Sequence, residues 1–282
     1  MRDEIVIVNH DKLEITKQAI SNAGIANFHV VADFDRTLTK AFVGGIQTPS
    51  LISVLRTEKM LTPDYSAKAQ KLFEKYHAIE TDANYPDDKK LLAMHEWWQK
   101  HMQLLTDSKL NKNDLTTVVN TGKVELRDGC CELIKWLDVH SVPLMIFSSS
   151  GLGVDMIALF LKKCRHLFGN VHIISNIIKW NKDGYATGFQ EPIIHGMNKG
   201  EHALEKYPVF KLIKNRKNIL LLGDNLSDLG MVAGIKYDNI IKIGFLNINV
   251  EKNLEVFKQN FDIVITGDGK MDYVNQLLEE LF

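Results

Sequence analysis

The segment Val30-Val31-Ala32-Asp33-Phe34-Asp35-Arg36-Thr37-Leu38-Thr39 constrains this chain more than any other. An apolar, β-branched run that stops at two aspartates reads as a buried strand over 28–34, with Asp33 at its carboxyl end and Asp35 in the loop. Open α/β sheets bind ligands at that edge. Two crowded carboxylates repel each other unless a cation or a transferable proton occupies the site. A hard divalent ion with oxygen ligands suits them. The segment therefore reads as a metal-assisted phosphoryl-transfer site with a carboxylate nucleophile; taken alone, it also fits a surface turn carrying an acidic pair.

Further apolar runs follow at 143–148, 171–176, 219–223, 240–245 and 263–266. Stretches of helical length lie at 154–164, 199–206, 226–233 and 250–259. This alternation predicts an α/β fold, a Rossmann-like parallel sheet covered on both faces. Residues 48–124 break the rhythm: few β-branched runs, many Lys, Gln, Ala, Leu and Met residues, and an aromatic cluster of Phe73, Tyr76, His77, Trp97 and Trp98. They are expected to form a helical cap inserted after the first acidic loop, the core being 1–47 and 125–282, with Gly44-Gly45 and Gly122 as candidate hinges.

Two other strand ends carry polar groups. Ser148-Ser149-Ser150-Gly151 follows the run at 143–148 and offers hydroxyl and backbone N–H groups to a phosphate, or serves only as a helix cap and turn. Asp224 ends the run at 219–223, and Asp228 falls in the first turn of the next helix, where it caps the helix or orients a metal-bound water. Lys199 is the candidate cation among these acids.

A formal net charge of −1 gives no reason to expect a nucleic-acid polymer or a membrane as partner; a single nucleotide is a better match for one local anion site. Three cysteines without C-x-x-C spacing argue against a disulfide framework or a zinc site and for a reducing compartment. The start, MRDEIVIVNH, lacks the pattern of a secretory signal, so a cytoplasmic location is expected. Oligomeric state is not legible.

Asp33/Asp35, Ser148, Lys199 and Asp224/Asp228 occur in the order of the haloacid-dehalogenase-like phosphatase signature. Lys75 through Glu80, Glu96-Trp97-Trp98, Gly188-Phe189 through His195, Asn198-Lys199 and Leu221 through Asp224 resemble the cytosolic 5′-nucleotidase III (pyrimidine 5′-nucleotidase) family. Two departures stand out. Arg36 occupies a position where the wider superfamily often has glycine. The serine stretch is one residue longer than the family's Phe-Ser-Ala-Gly, leaving Ser148 or Ser149 as the phosphate binder.

The resemblance implies a Mg²⁺-dependent 5′-nucleotidase in which Asp33 is the nucleophile and Asp35 the acid and base. Mg²⁺ would take the Asp33 carboxylate, the Asp35 carbonyl and the Asp224 carboxylate; Lys199 and the serines would hold phosphate. It also implies that Glu80, with His101 nearby, meets the base. Adjacent helical residues point about 100° apart, so Trp97 and Trp98 can hardly face one pocket; the resemblance implies Trp98 at the base and Trp97 in the cap core. Tryptophan favours a cationic ring, which adds 7-methylguanosine monophosphate to CMP and UMP as candidate substrates; otherwise Trp98 simply packs between helices. The rival readings are a same-fold phosphatase of a non-nucleotide ester, a nucleoside phosphotransferase and a non-catalytic nucleotide-binding protein.

Overall fold

The computed structural model describes residues 4–82, 84–199 and 207–282. One seven-stranded sheet is built from β1 (Ile5–Ile7), β2 (Phe28–Ala32), β5 (Leu144–Phe147), β6 (Val171–Ile174), β9 (Asn218–Gly223), β10 (Asn239–Leu246) and β11 (Ile263–Thr266). The spatial order is β1-β11-β10-β9-β2-β5-β6, parallel throughout except for the antiparallel edge strand β1. All six expected strands are present. β1 was not expected, because three residues carry too little pattern to separate a strand from a loop.

The strands are apolar on both sides because each side is covered. Val30, Ala32, Leu220 and Leu222 join one buried cluster, while Val31, Met145, Phe147, Ile219 and Leu221 join another. This is the two-residue period of a pleated strand split between two cores. The first core is completed by α1 (His10–Ala23), α6 (Cys130–Val139), α7 (Gly153–Lys163) and α10 (Asp272–Leu281). On the other side lie the short α8 (Phe210–Ile213) and the 3₁₀ segment Leu226–Val232, which stands where a regular helix was expected. α9 (Val250–Asn260) packs Phe257 on Val264 and Leu246. The helix expected over 199–206 falls, beyond Lys199, outside the described residues.

Residues 48–124 are helical as expected, with α2 (Leu51–Thr57), α3 (Tyr65–Thr81), α4 (Asp87–Asp107) and α5 (Lys112–Asn120). They do not form one separate core. Leu51, Val54, Leu55, Leu115 and Val118 belong to the same buried cluster as the sheet, whereas Tyr76, Met94 and Trp97 form a cluster of their own at the far part of the α3–α4 hairpin. Two small hairpins were also unforeseen, β3 (Phe42–Val43) with β4 (Ile46–Gln47), and β7 (Ile178–Trp180) with β8 (Ala186–Phe189). The second reaches the helical segment: Lys112 N–H donates to Gly184 O at 3.0 Å and Ala186 N–H to Leu110 O at 2.8 Å. Gly44-Gly45 forms the turn of the β3–β4 hairpin at φ +59° and +79°, and Gly122 follows α5 at φ +68°. Both spots thus have a local turn requirement that accounts for glycine without any hinge.

His29, fully buried in β2, has its imidazole pushed down to about 4 by burial, with the charges of Arg216 and Lys217 adding to the effect. Its folded pKa lies below the ordinary 6.5, so its contribution to stability is complete above pH 6.5 and is lost as pH falls toward 4. Over that window the wild type is expected to lose up to about 3 kcal/mol relative to His29→Asn. Urea unfolding of both proteins at a series of pH values measures this; parallel curves would contradict it.

Candidate active site

β2 ends where the chemistry begins. Asp33 N–H still donates to Leu222 O of β9 at 3.0 Å, and the chain then leaves the sheet in a tight turn over Phe34–Leu38 with Arg36 at φ +62°. The strand is therefore two residues shorter than the apolar run suggested. Asp33 sits at the strand's carboxyl end, 6% exposed. Lys199 Nζ lies 2.5 Å from Asp33 Oδ1 and 2.7 Å from Asp228 Oδ1, all three groups being buried.

Asp228 caps the segment that follows β9, as the sequence suggested, and has a second contact that the sequence did not assign to it. Its Oδ2 accepts the backbone N–H groups of Asp224 and Asn225, each at 3.0 Å, within a reciprocal capping box with Asn225. Its Oδ1 binds Lys199. This close approach needs Gly223, since a Cβ there would lie 2.5 Å from the Cβ of Asp228.

Oxygen atoms of Asp33, Asp224 and Asp228 lie within 4.8 Å of one another. Lys199 and the backbone engage one oxygen of Asp33 and both of Asp228. Among the described residues, the second Asp33 oxygen and the Asp224 carboxylate have no hydrogen-bond partner. Such a set of hard, anionic oxygen donors fits a divalent cation, with Asp33 and Asp224 as its ligands and Asp228 as support. Asp35 is outside this carboxylate cluster.

Burial pushes the Asp33 carboxyl up to about 7, against the pull of Lys199, and the Asp35 carboxyl up to about 6, against Arg36 and Lys199. Burial, with Asp228 and Asp33 adding repulsion, raises Asp224 as well. Burial alone would lower Lys199, but Asp228 and Asp33 outweigh it and hold the ammonium firmly protonated.

The serine loop leaves β5 beside β2. Ser148 is buried and its Oγ accepts the N–H of Ser150 at 3.1 Å. Ser149 is half-buried with its hydroxyl unpaired among the described residues. Asn176, which sequence reasoning passed over, ties this loop to the segment carrying Lys199. Its amide donates to Ser150 O at 3.0 Å and Ile194 O at 2.9 Å, and its Oδ1 accepts Ile194 N–H at 2.8 Å. Its own carbonyl accepts Val154 N–H and would lie 1.9 Å from a Cβ on Gly153. One polar residue after an apolar run is too common a pattern to signal such a cross-link.

On the helical side, Trp98 lies against the serine loop, its ring 3.3 Å from where a Cβ on Gly151 would stand. Trp97 is buried and stacks on Tyr76 at 5.9 Å and on Trp98 at 5.5 Å. The rings of Trp98 and His101 are 6.1 Å apart. His101 is buried, shares a 3.1 Å hydrogen bond with the Tyr65 hydroxyl, and is pushed down to about 4 by burial and by Arg56. Glu80 is not drawn into this group. Its carboxylate is substantially exposed and lies 3.0 Å from His77 Nδ1 on the same helix, bonding to none of the other candidate residues.

Asp228→Asn removes one of two anions from a buried lysine. It is expected to lower the unfolding free energy by about 3 kcal/mol and phosphatase activity at least about tenfold, since it also loosens the Asp224 loop. Denaturant titration and phosphate release check the two effects separately; unchanged values for both would remove Asp228 from the site.

Known proteins match the chain over nearly its whole length. The family described as Pyrimidine 5′-nucleotidase (UMPH-1) matches residues 36–282. The 7-methylguanosine phosphate-specific 5′-nucleotidase of Rattus norvegicus is 32% identical over 282 residues, 100% of this chain and 93% of the relative. The crystal structure of cytosolic 5′-nucleotidase IIIB bound to cytidine superposes with a TM-score of 0.90 at 29% identity, covering 100% of this chain and 94% of that one. A haloacid-dehalogenase family hydrolase of Salmonella enterica, 16% identical with a TM-score of 0.57, covers 90% of this chain and 71% of its own length, and shares the fold. With its acidic, serine and lysine groups at one edge of that fold, the chain belongs to the pyrimidine 5′-nucleotidase family of enzymes.

Proposed function

We propose that the protein is a Mg²⁺-dependent 5′-nucleotidase that hydrolyses nucleoside 5′-monophosphates through an aspartyl-phosphate on Asp33. The observation that carries this reading is the shared lysine: Lys199 bridges Asp33 and Asp228 while, among the described residues, Asp224 and the second Asp33 oxygen have no partner. Mg²⁺, held by the Asp33 and Asp224 carboxylates and the Asp35 carbonyl, supplies positive charge for the transferring phosphoryl group. Asp33 attacks phosphorus as the bond to the nucleoside oxygen breaks. Asp35, with a pKa near 6, protonates the departing oxygen and later takes a proton from the water that cleaves the acyl-phosphate. Lys199 and the hydroxyls of Ser148 or Ser149 hold the non-bridging oxygens, so the catalysis is largely positioning and charge neutralisation.

Residues 48–124 act as the cap over a core of 1–47 and 125–282, and the cap selects the base. Trp98 beside the serine loop supports this, because a ring there can stack on a base whose phosphate lies at Ser148 and Ser149. CMP, UMP and 7-methylguanosine monophosphate are the substrate candidates. The rat relative is named for 7-methylguanosine phosphate and the solved neighbour holds cytidine. Cation–π attraction would favour the methylated, cationic base by about 0.5–2 kcal/mol. Glu80 contributes to base binding only by exchanging its contact with His77 for the base. The ligand is a small nucleotide, not a nucleic-acid polymer or a membrane, and the setting is the cytoplasm. Among the described residues no helix is long and apolar enough to cross a membrane.

Mg²⁺-dependent phosphate release from CMP, UMP, AMP, GMP, 7-methylguanosine monophosphate and phosphoserine tests the reading. Release from phosphoserine alone would discard the substrate class. Asp33→Asn is expected to fold normally and release no phosphate, and chelation of the metal to stop release reversibly. Trp98→Ala should cut activity on 7-methylguanosine monophosphate about 2- to 30-fold more than on UMP. Equal losses on both would reduce Trp98 to packing.

A further inference from the structure

Arg127 is among the largest fully buried side chains of the protein, at 2% exposure, and it stands directly behind the loop that carries Asp33 and Asp35. It grips three successive carbonyls of that loop. Its backbone N–H donates to Leu38 O at 2.9 Å, its Nε to Thr37 O at 2.7 Å, and its Nη2 to Arg36 O. Nη2 also donates to Asn247 Oδ1 at 3.0 Å, and Nη1 to Asp268 Oδ1 at 3.0 Å and Gly269 O at 2.7 Å. All five guanidinium N–H groups are thereby used. Asn247 and Asp268–Gly269 lie in the loops after β10 and β11, so three strand-end loops meet on one side chain.

The gripped loop contains a backbone position that favours glycine. Arg36 has φ +62° and ψ +4°, the left-handed conformation that a non-glycine residue adopts only at a cost. Its carbonyl receives two donors, Arg127 Nη2 and Asn247 Nδ2, the latter at 3.0 Å. These bonds hold the turn where an unsupported arginine would relax toward a right-handed or extended conformation and carry Asp35 away from Asp33. Asp268, the carboxylate partner of Arg127, extends the frame by accepting the N–H groups of Ala41 at 2.7 Å and Phe42 at 2.9 Å.

We propose that Arg127 is a positioning residue for the hydrolytic reaction: it fixes the left-handed turn at Arg36 and so sets Asp35 relative to the nucleophile Asp33. The inference rests on the roles proposed above for those two aspartates. Arg127 itself touches neither substrate nor reacting atoms.

The test is a coupling measurement on Arg127→Lys, Arg36→Gly and the double variant, with kcat and KM for the best hydrolysed nucleotide and thermal unfolding of each. Lysine keeps a positive charge opposite Asp268 but cannot span the carbonyls. Arg127→Lys should remain folded and lose kcat at least about tenfold, with KM within about threefold of wild type. Glycine at 36 takes the left-handed turn without strain, so Arg36→Gly should restore activity several-fold in the Arg127→Lys background and give no such gain in the wild type. A purely structural role would not produce that coupling. Folded Arg127→Lys with kcat within about twofold of wild type overturns the proposal, as does a loss that Arg36→Gly leaves unaltered. Should Arg127→Lys fail to fold, Asn247→Ala removes the other donor to the same carbonyl and reads the same coupling; its absence there is equally decisive against the proposal. Asp33→Asn is assayed alongside: turnover by that variant would refute the nucleophile assignment, whereas the Arg127–Arg36 coupling is a ratio that stands independently of it.

Discussion

Three aspartates drawn together at the carboxyl ends of two neighbouring strands, with one lysine between them, create an electrostatic problem that the surrounding fold is arranged to contain. Burial opposes the ionisation of Asp33 and Asp224 and raises both carboxyls, and the neighbouring carboxylates add repulsion. Lys199 relieves it only if its segment is held over the strand ends, which is the work of Asn176. The backbone relieves it further by donating two N–H groups to Asp228, which is feasible because Gly223 has no side chain in the way. The charge that remains suits a hard divalent cation.

The sheet and the acidic residues were legible in the sequence for the same reason. A parallel strand covered on both faces is a nearly unbroken apolar run, and a carboxylate at its end is conspicuous against it; β2 and β9 both have this form. The limits of legibility were equally physical. β1 and the β7–β8 hairpin have three or four residues per strand and no clear alternation. α1, α6 and α10 were not anticipated, since apart from the insertion helices were expected only between the later strands, from 143 to 266, and these three lie outside that span.

Within the candidate site, polar residues at strand ends stood out in the sequence, and residues whose work is to hold backbone were missed. Asn176 and Arg127 bind mainly carbonyl groups, and no spacing rule links an asparagine or arginine to a distant carbonyl. The Arg36 departure from glycine was visible in the sequence, but only the left-handed turn gives it meaning. Helical geometry separated the two tryptophans, and Trp97 is the buried one; Trp98, assigned to the base by resemblance, lies against the serine loop. Glu80 was inferred from resemblance, and its engagement with His77 is a local helix pairing that resemblance does not convey.

The β7–β8 hairpin gives the helical insertion an unusual status. In sequence, residues 48–124 look like a cassette dropped between two ends of a loop. In space, the peptide groups of Leu110 and Lys112 are bonded to Ala186 and Gly184, and α2 and α5 share the main core. A recombinant that exchanged only 48–124 between relatives would sever this seam and leave backbone groups on both sides without partners. The unit that evolution or an engineer can move intact is discontinuous, and it includes residues 178–189.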